Sequence, residues 1–325
     1  MPRRARLDAP GTLHHVIIRG IERCRIVTDV ADRENFVKRL GELSTETKTT
    51  IYAWALMTNH AHILLRSSEF GLPGFMRRLL TGYAISYNRR HRRWGHLFQN
   101  RYKSIICDEN AYFTLLVRYI HLNPLRARLV NSLEQLDRYR WCGHSTIVGK
   151  IKNDWQDRDY VLKWFGNKEG EANNTYRNYV KKGIAVGRCP ELVGGGLIRS
   201  MGGWSAVKAL RRSGDRELSD ARILGSGEFV EQIIKEAETN TKYQLPVLDH
   251  HKKINELIIR ICRDEKVSIE ELKGGNRRRE ASRVRARIAI GLVKTHGVTL
   301  AEIARQLGVS TSAVWKIMKR ASQYV

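Results

Sequence analysis

Two histidines and a tyrosine carry the chemistry in this sequence. His60 and His62 stand two positions apart in Met57-Thr-Asn-His60-Ala-His62-Ile-Leu-Leu65, a run of strand-forming residues. Successive side chains of a strand point to opposite faces, so His60, His62 and Leu64 share one face while Ala61, Ile63 and Leu65 share the other. Two imidazoles on one sheet face make half of a divalent-metal site. Further on, Tyr119-Ile-His-Leu-Asn123-Pro124 places a tyrosine and an asparagine one helical turn apart, as neighbours on a helix surface. A helix laid across the sheet would bring Asn123 to the histidines as third ligand, with the Tyr119 hydroxyl beside them. A metal ion next to a phenolic nucleophile is an arrangement for phosphoryl transfer through a tyrosyl phosphate. Taken singly, each feature has a plain alternative: His-x-His arises by chance, and a tyrosine near a helix end packs routinely as a half-buried aromatic. The combination is what points to chemistry.

The elements needed to position these residues are readable over the first 130 residues. Leu13 to Arg19 reads as a strand, and Ala31 to Thr47 as an amphipathic helix with Phe36, Leu40 and Leu43 on one face. Thr50 to Met57 and His60 to Arg66 read as two apolar strands around a Thr58-Asn59 turn. Pro73 can begin a helix, and Phe75 to Arg90 carries Met76, Leu79, Leu80, Tyr83 and Tyr87 on one stripe. Arg101 to Cys107 reads as a further strand, and Ala111 to Leu122 as the tyrosine helix, closed by Asn123-Pro124. The expected class is α+β, with this order compatible with a ferredoxin-like sandwich of antiparallel sheet and helices. Residues 131–245 are expected to be a helical and glycine-rich connecting region. Within it, Asp154 to Phe165 reads as a capped helix with an aromatic face, and Gly187 to Gly203 as a loop or hinge. A phosphate cradle at Gly194 to Gly196 is disfavoured, since the segment lacks the Gly-Lys-Ser/Thr ending of a nucleotide P-loop.

Residues 246–325 read as an all-α DNA-binding domain. Thr299 to Gln306, Leu307-Gly-Val309 and Ser310 to Arg320 form a helix-turn-helix pattern. In it Gly308 allows the turn, Ser310 caps the second helix, and Ile303, Leu307, Val314, Ile317 and Met318 bury the joint. The N-terminal residues of the second helix of such a motif meet base edges. Ser310, Thr311 and Ser312, with Trp315, Lys316 and Lys319 along the same helix, are therefore the candidate contacts.

Composition agrees. The chain has 325 residues and a net charge of +25, with a pI near 10.2, and such an excess calls for a polyanionic partner, nucleic acid first. A hydrophobic content of 42% is ordinary for a soluble protein, and no apolar run is long enough for a membrane span. Met1-Pro-Arg-Arg-Ala-Arg-Leu-Asp has no apolar run behind it and is not a secretory signal. Cys24, Cys107, Cys142, Cys189 and Cys262 are odd in number and scattered, which argues against a disulfide framework and for a cytoplasmic, nucleoid-associated protein.

Residues 10 to about 130 resemble the IS200-like, single-tyrosine transposases of the HUH nuclease superfamily, and more closely the REP-associated tyrosine transposases. The matching stretches are Gly11 to Gly20, Trp54 to Leu65, Leu97 to Lys103 and Tyr119 to Pro124. The resemblance implies that His60 and His62 bind Mg²⁺ or Mn²⁺, that Tyr119 attacks single-stranded DNA, and that Asn123 completes the metal site. Many relatives have glutamine where this chain has the shorter Asn123. The implied substrate is a hairpin-forming repeat beside a cleavage site, with Gln99 and Arg101 as candidate contacts. A homodimer is compatible with this reading, as is a monomer. Val267 to Arg279 and Ser282 to Ala289, with the helices that follow, resemble the C-terminal DNA-binding domain of the replication initiator DnaA. That implies phosphate and minor-groove contacts by Arg277, Arg278 and Arg279. The Asp-His-Ser-Thr signature of that family is replaced here by Ser310-Thr-Ser-Ala, so its target sequence does not carry over. Arg283, Arg285 and Arg287 read equally well as a solvated basic face. The competing function is a catalytically inactive, sequence-specific DNA-binding regulator, against which the intact set of His60, His62, Tyr119 and Asn123 speaks. A replication initiator would need a helicase domain, and the sequence has no P-loop.

Overall fold

The computed structural model describes residues 7–8, 10–99, 101–187, 189–194, 218–243, 246–274, 278–296 and 300–321. Its contacts divide the chain into two units, residues 1–75 with 87–240 and residues 76–86 with 241–325.

The first unit is built on strands β1 (Leu13–Arg19), β2 (Thr50–Leu56), β3 (His60–Arg66), β4 (Lys103–Cys107) and the two-residue β5 (Ile223–Leu224). Their order in the sheet is β2-β3-β1-β4-β5. Pairing is antiparallel throughout except for β4 with β5. With helices α1 (Val30–Thr47), α2 (Leu72–Arg90) and α3 (Glu109–His121) inserted in chain order, the first four strands give the expected ferredoxin-like α+β sandwich. The Thr58-Asn59 turn closes the β2–β3 hairpin, where Met57 N donates to His60 O at 2.9 Å. That register leaves the imidazoles at the turn end of β3.

One sheet face carries the core that positions the site. Leu13 and Ile17 of β1, Leu64 of β3, and Ile105 and Cys107 of β4 pack with Phe113, Leu116, Val117 and Ile120 of α3. Burying a side chain of this size contributes about 1.5–3 kcal/mol, so these contacts fix α3 across the strands. The same core takes in Leu133 and Leu136 of α5 (Leu133–Asp137), which follows the one-turn α4 (Asn123–Arg126). It also takes in Ile147 of α6 (His144–Ile147), Val161 of α7 (Arg158–Lys163), and Tyr176 and Val180 of α8 (Glu169–Lys182). Segments between these helices cover the outer edge of β2. Leu56 N donates to Trp141 O, Gly143 N to Trp54 O and Asp157 N to Ile51 O, at 2.8–2.9 Å. An edge strand left bare would invite pairing with another chain. This explains why the helix expected from Asp154 begins only at Arg158. Gln156 is used to accept from Trp54 Nε1 at 3.0 Å and donate to Tyr52 O at 3.0 Å, and Asp157 caps the helix instead. Helix α9 (Gly227–Tyr243) packs Val230 and Ile233 onto Ile106 and Ile223.

The second unit contains α10 (Pro246–Asp264), α11 (Ile269–Lys273), α12 (Arg279–His296), α13 (Leu300–Leu307) and α14 (Thr311–Ala321). Ile258, Leu272, Val284, Ile288, Leu292, Ile303, Leu307 and Val314 form its core, with Ile317 and Met318 packed against it. Gly308, at φ +63, makes the turn between α13 and α14, and a Cβ there would meet the Lys273 carbonyl oxygen at 2.1 Å. Only glycine satisfies both constraints. Among the described residues no helix is long and apolar enough to cross a membrane.

Candidate active site and DNA-binding surface

His60 and His62 lie on the α3-facing side of β3, and Tyr119 lies on the last turn of α3. The Tyr119 ring stands edge-on to His62 with centroids 5.7 Å apart, and the two imidazoles are 5.2 Å apart. The sheet and the helix thus bring together the three residues that the spacing singled out.

Helix α3 is held at both ends. At its start Asp108 accepts from the backbone of Asn110 and Ala111, and Arg66 Nη2 donates to both oxygens of Glu109 at 2.6 and 2.7 Å. Tyr160 also donates to Glu109. At its end His121 is buried and its Nδ1 lies 2.7 Å from Tyr176 Oη, which lies 2.7 Å from His144 Nδ1. His144 Nε2 lies 2.8 Å from Asp137, which also accepts from Arg177. Arg118 stacks over Tyr179 at 4.3 Å. A helix tied down in this way leaves Tyr119 little freedom in where it can present its hydroxyl.

A third histidine, His15 on β1, completes the imidazole group, and its hydrogen bonds settle the tautomers. His15 Nδ1 lies 2.9 Å from the Leu192 carbonyl oxygen, which can only accept, so Nδ1 carries the proton. Burial holds the pKa of His15 down to about 4, so the ring is neutral and its Nε2 is an acceptor. His62 Nδ1, 2.9 Å away, must then be the donor, which leaves His62 Nε2 with a bare lone pair. His60 follows the same logic: its Nδ1 donates to Asn59 Oδ1 at 2.7 Å, and its Nε2 is bare. Burial lowers the pKa of His60 to about 4 and that of His62 well below the usual imidazole value. Neutral imidazoles with oriented lone pairs, each backed by a hydrogen-bonded partner, are a donor set that suits a divalent ion. Motif spacing does not single out His15, although it shares the parity of Leu13 and Ile17 on β1.

Asn123 is placed differently. Its Nδ2 donates to the carbonyls of Tyr119 at 3.0 Å and Ile120 at 3.3 Å, closing the end of α3. That leaves Oδ1 as its one ligand atom, and none of its hydrogen bonds reaches a histidine. A second cluster, Asp29, Asp32 and His91, sets its ligand atoms within 4.8 Å of one another. Arg90 already bonds both carboxylates there, at 2.6–2.7 Å, and supplies the positive charge. Gln99 and Arg101 are both exposed.

In the second unit Ser310, Thr311, Ser312 and Lys316 are exposed on the first turns of α14, and Trp315 is half-buried. Ser310 Oγ accepts from Ala313 N at 3.1 Å and caps the helix as expected. Arg278 and Arg279 are exposed at the start of α12, and Arg278 lies 3.9 Å from Glu271. Arg277 and the Lys319 side chain lie outside the described residues. Three arginines of one basic run divide by function. Arg283 and Arg287 pair with Glu265 at 2.7 and 2.6 Å. Arg285 is instead buried, donating to the Leu272 carbonyl through Nε and Nη2, so it is a structural tie and not part of a solvated face.

No curated protein sequence matches the chain. A solved structure described as a REP-associated tyrosine transposase bound to a REP hairpin is similar at 14% identity and a TM-score of 0.38. The match covers 48% of this chain and 91% of that one. Residues 11–123 match the family model "Transposase IS200 like", and residues 279–323 match the model "Homeodomain-like domain". The stretch that matches the IS200-like transposase model holds His60, His62, Tyr119 and Asn123, and the stretch that matches the homeodomain-like model holds α12, α13 and α14.

Proposed function

We propose that this chain is a metal-dependent single-strand DNA endonuclease and strand transferase that cuts beside hairpin-forming repeats. The observation that carries the reading is the Tyr119 ring, 5.7 Å from an imidazole whose Nε2 is left bare by a fixed hydrogen-bond chain. His60 and His62 would hold Mg²⁺ or Mn²⁺, with Asn123 Oδ1 as candidate third ligand. When bound, such an ion polarises a phosphoryl oxygen and stabilises charge on the leaving oxygen. Tyr119 Oη bonds to phosphorus as the bond from phosphorus to the 3′ oxygen breaks. The phenolic proton is lost and the 3′ oxygen gains one, giving a 5′-phosphotyrosyl link and a free 3′-OH. The link conserves the phosphodiester, so another 3′-OH can reverse the step and join strands. The basic second unit, through Ser310, Thr311, Ser312, Trp315, Lys316, Lys319 and Arg277, Arg278 and Arg279, would hold duplex or junction DNA.

Incubation with a labelled single-stranded hairpin taken from the DNA flanking the gene, with Mg²⁺ or Mn²⁺, tests this on a denaturing gel. A covalent adduct that Tyr119→Phe abolishes, with hairpin binding nearly intact, is the expected result. An adduct that persists in that variant moves the nucleophile elsewhere, with Tyr112 the nearest tyrosine on α3. EDTA should remove the wild-type adduct, and full cleavage in EDTA would exclude a metal role.

A further inference from the structure

Arg126, at the end of the one-turn helix that begins with Asn123, lies with its guanidinium carbon 5.4 Å from the Tyr119 ring centroid. Its Nε and Nη1 are shielded from solvent, and neither has a hydrogen-bond partner among the described residues. Unpaired buried guanidinium N–H groups are costly, and nearly every such group in a folded protein has found an acceptor. The Tyr119 ring offers its π-face but no acceptor in that plane. A phosphate attacked by Tyr119 Oη would bring acceptor oxygens beside the ring against which the guanidinium lies. A phosphate joined to Tyr119 Oη can accept from one of these N–H groups, and a hydrogen bond from a guanidinium to a phosphate oxygen is a strong one.

We propose that Arg126 binds a non-bridging oxygen of the phosphate as that phosphate passes from the DNA 3′ oxygen to Tyr119. The proposal rests on Tyr119 being the nucleophile. In the step itself the bond from Oη to phosphorus forms, the bond to the 3′ oxygen breaks, and the proton lost by Tyr119 is balanced by one taken up at the 3′ oxygen. Arg126 only donates a hydrogen bond in this step. Because the guanidinium lies against the ring of the nucleophile, Arg126 acts on the covalent step and not on the DNA complex that precedes it.

Single-turnover adduct formation by the full chain, on the same flanking-DNA hairpin, distinguishes the outcomes. Arg126→Met should slow adduct formation by on the order of 10²-fold or more, the usual loss for one oriented donor at a developing oxyanion. Arg126→Lys, which keeps the charge but not the rigid planar donor, should fall between Met and wild type. Hairpin affinity should be unchanged in both. A methylphosphonate at the cleaved position removes the negative oxygen, so the wild-type advantage over Arg126→Met should collapse towards unity there. An equal advantage on phosphate and methylphosphonate would make Arg126 a packing residue and overturn the proposal. Wild-type rates in Arg126→Lys together with Arg126→Met would do the same while leaving Tyr119 as nucleophile. If the wild type forms no adduct, the nucleophile assignment fails and the role of Arg126 falls with it.

Discussion

His15, His60 and His62 lie half-buried or buried on one sheet face, each oriented by a hydrogen bond to a neighbour, whereas Ser310, Thr311, Ser312 and Lys316 stand in solvent on a small helical core. On the proposed function, the two regions would divide the handling of DNA between them in opposite ways. Covalent chemistry needs atoms fixed before the substrate arrives, which the first unit achieves with a chain running from the Leu192 carbonyl through His15 to His62. Readout of a duplex needs polar atoms able to meet base edges, so the second unit fixes only the backbone that carries them. Substitutions in the first unit should therefore change rates at saturating DNA. Those in the second should change affinity and sequence preference with the covalent step intact.

The largest effect should come from the imidazoles. His60→Ala or His62→Ala is expected to abolish adduct formation and Mn²⁺ binding, with the double variant costing little more than either single one, as for residues acting as a unit. Mn²⁺ titration of the full chain by electron paramagnetic resonance reads the site without reference to cleavage. His15→Ala should weaken Mn²⁺ binding by about 10–100-fold, because it removes the acceptor that fixes the His62 tautomer. Undiminished Mn²⁺ affinity in His15→Ala would break the contrast, since His62 would then need no orienting partner.

Next in size are the structural ties. Gly308→Val should destabilise the second unit by about 1–3 kcal/mol through its positive φ, and further through a clash with the Lys273 carbonyl. Duplex affinity should fall while the Tyr119 adduct persists. Tyr176→Phe removes the hydroxyl shared by His121 and His144 and should cost about 1–3 kcal/mol in urea unfolding. Here it is adduct formation that should suffer, because α3 loses its anchor. If each variant impaired both activities equally, the division of labour would be wrong.

Acid should act through the first unit. The folded chain keeps His15 and His60 neutral down to about pH 4, whereas exposed in the unfolded chain they protonate near 6.5. Between those values the unfolded state binds more protons, so stability rises with pH across the window and is lost as pH falls from about 6.5 towards 4. Each imidazole contributes up to about 1.4 kcal/mol per pH unit there. His15→Gln should flatten the urea midpoint across this window, and an unchanged slope would rule His15 out as a source.

How much of this could be read in the sequence follows from what each feature depends on. Strand parity places His60 with His62, and helical spacing places Tyr119 with Asn123, so the catalytic candidates were legible from local geometry. The hydrogen bond from His15 to His62 depends on the pairing of β1 with β3, in which Ile17 faces His62, and no local pattern encodes it. The structural role of Arg285 was equally hidden, since Arg283, Arg285 and Arg287 look alike until α11 supplies the carbonyl that Arg285 binds. The segment over 154–157 reads as the capped start of a helix, yet the open edge of β2 claims it first. Tertiary hydrogen bonding overrides local propensity where a strand would otherwise be left unpaired.

The smallest expected effects test the readout surface. Arg278 is exposed, lies 3.9 Å from Glu271, and stands at the start of α12, where it can meet a phosphate. Arg278→Ala should weaken binding to every duplex by a similar factor. It should also lower the slope of log K against log salt by about 0.9, the share of one released counterion. Ser312→Ala and Lys316→Ala lie further along the recognition surface, on α14, and removing a hydrogen bond to a base there should cost about 1–3 kcal/mol for the preferred site alone. Competition against scrambled duplexes at fixed salt separates the two behaviours: a uniform loss marks a phosphate partner, and a site-dependent one marks a base partner. None of the three should alter the single-turnover rate of the Tyr119 adduct at saturating hairpin. If deletion of residues 250–325 leaves duplex affinity and its salt slope unchanged, α13 and α14 are a packed helical hairpin and the first unit must bind duplex by itself.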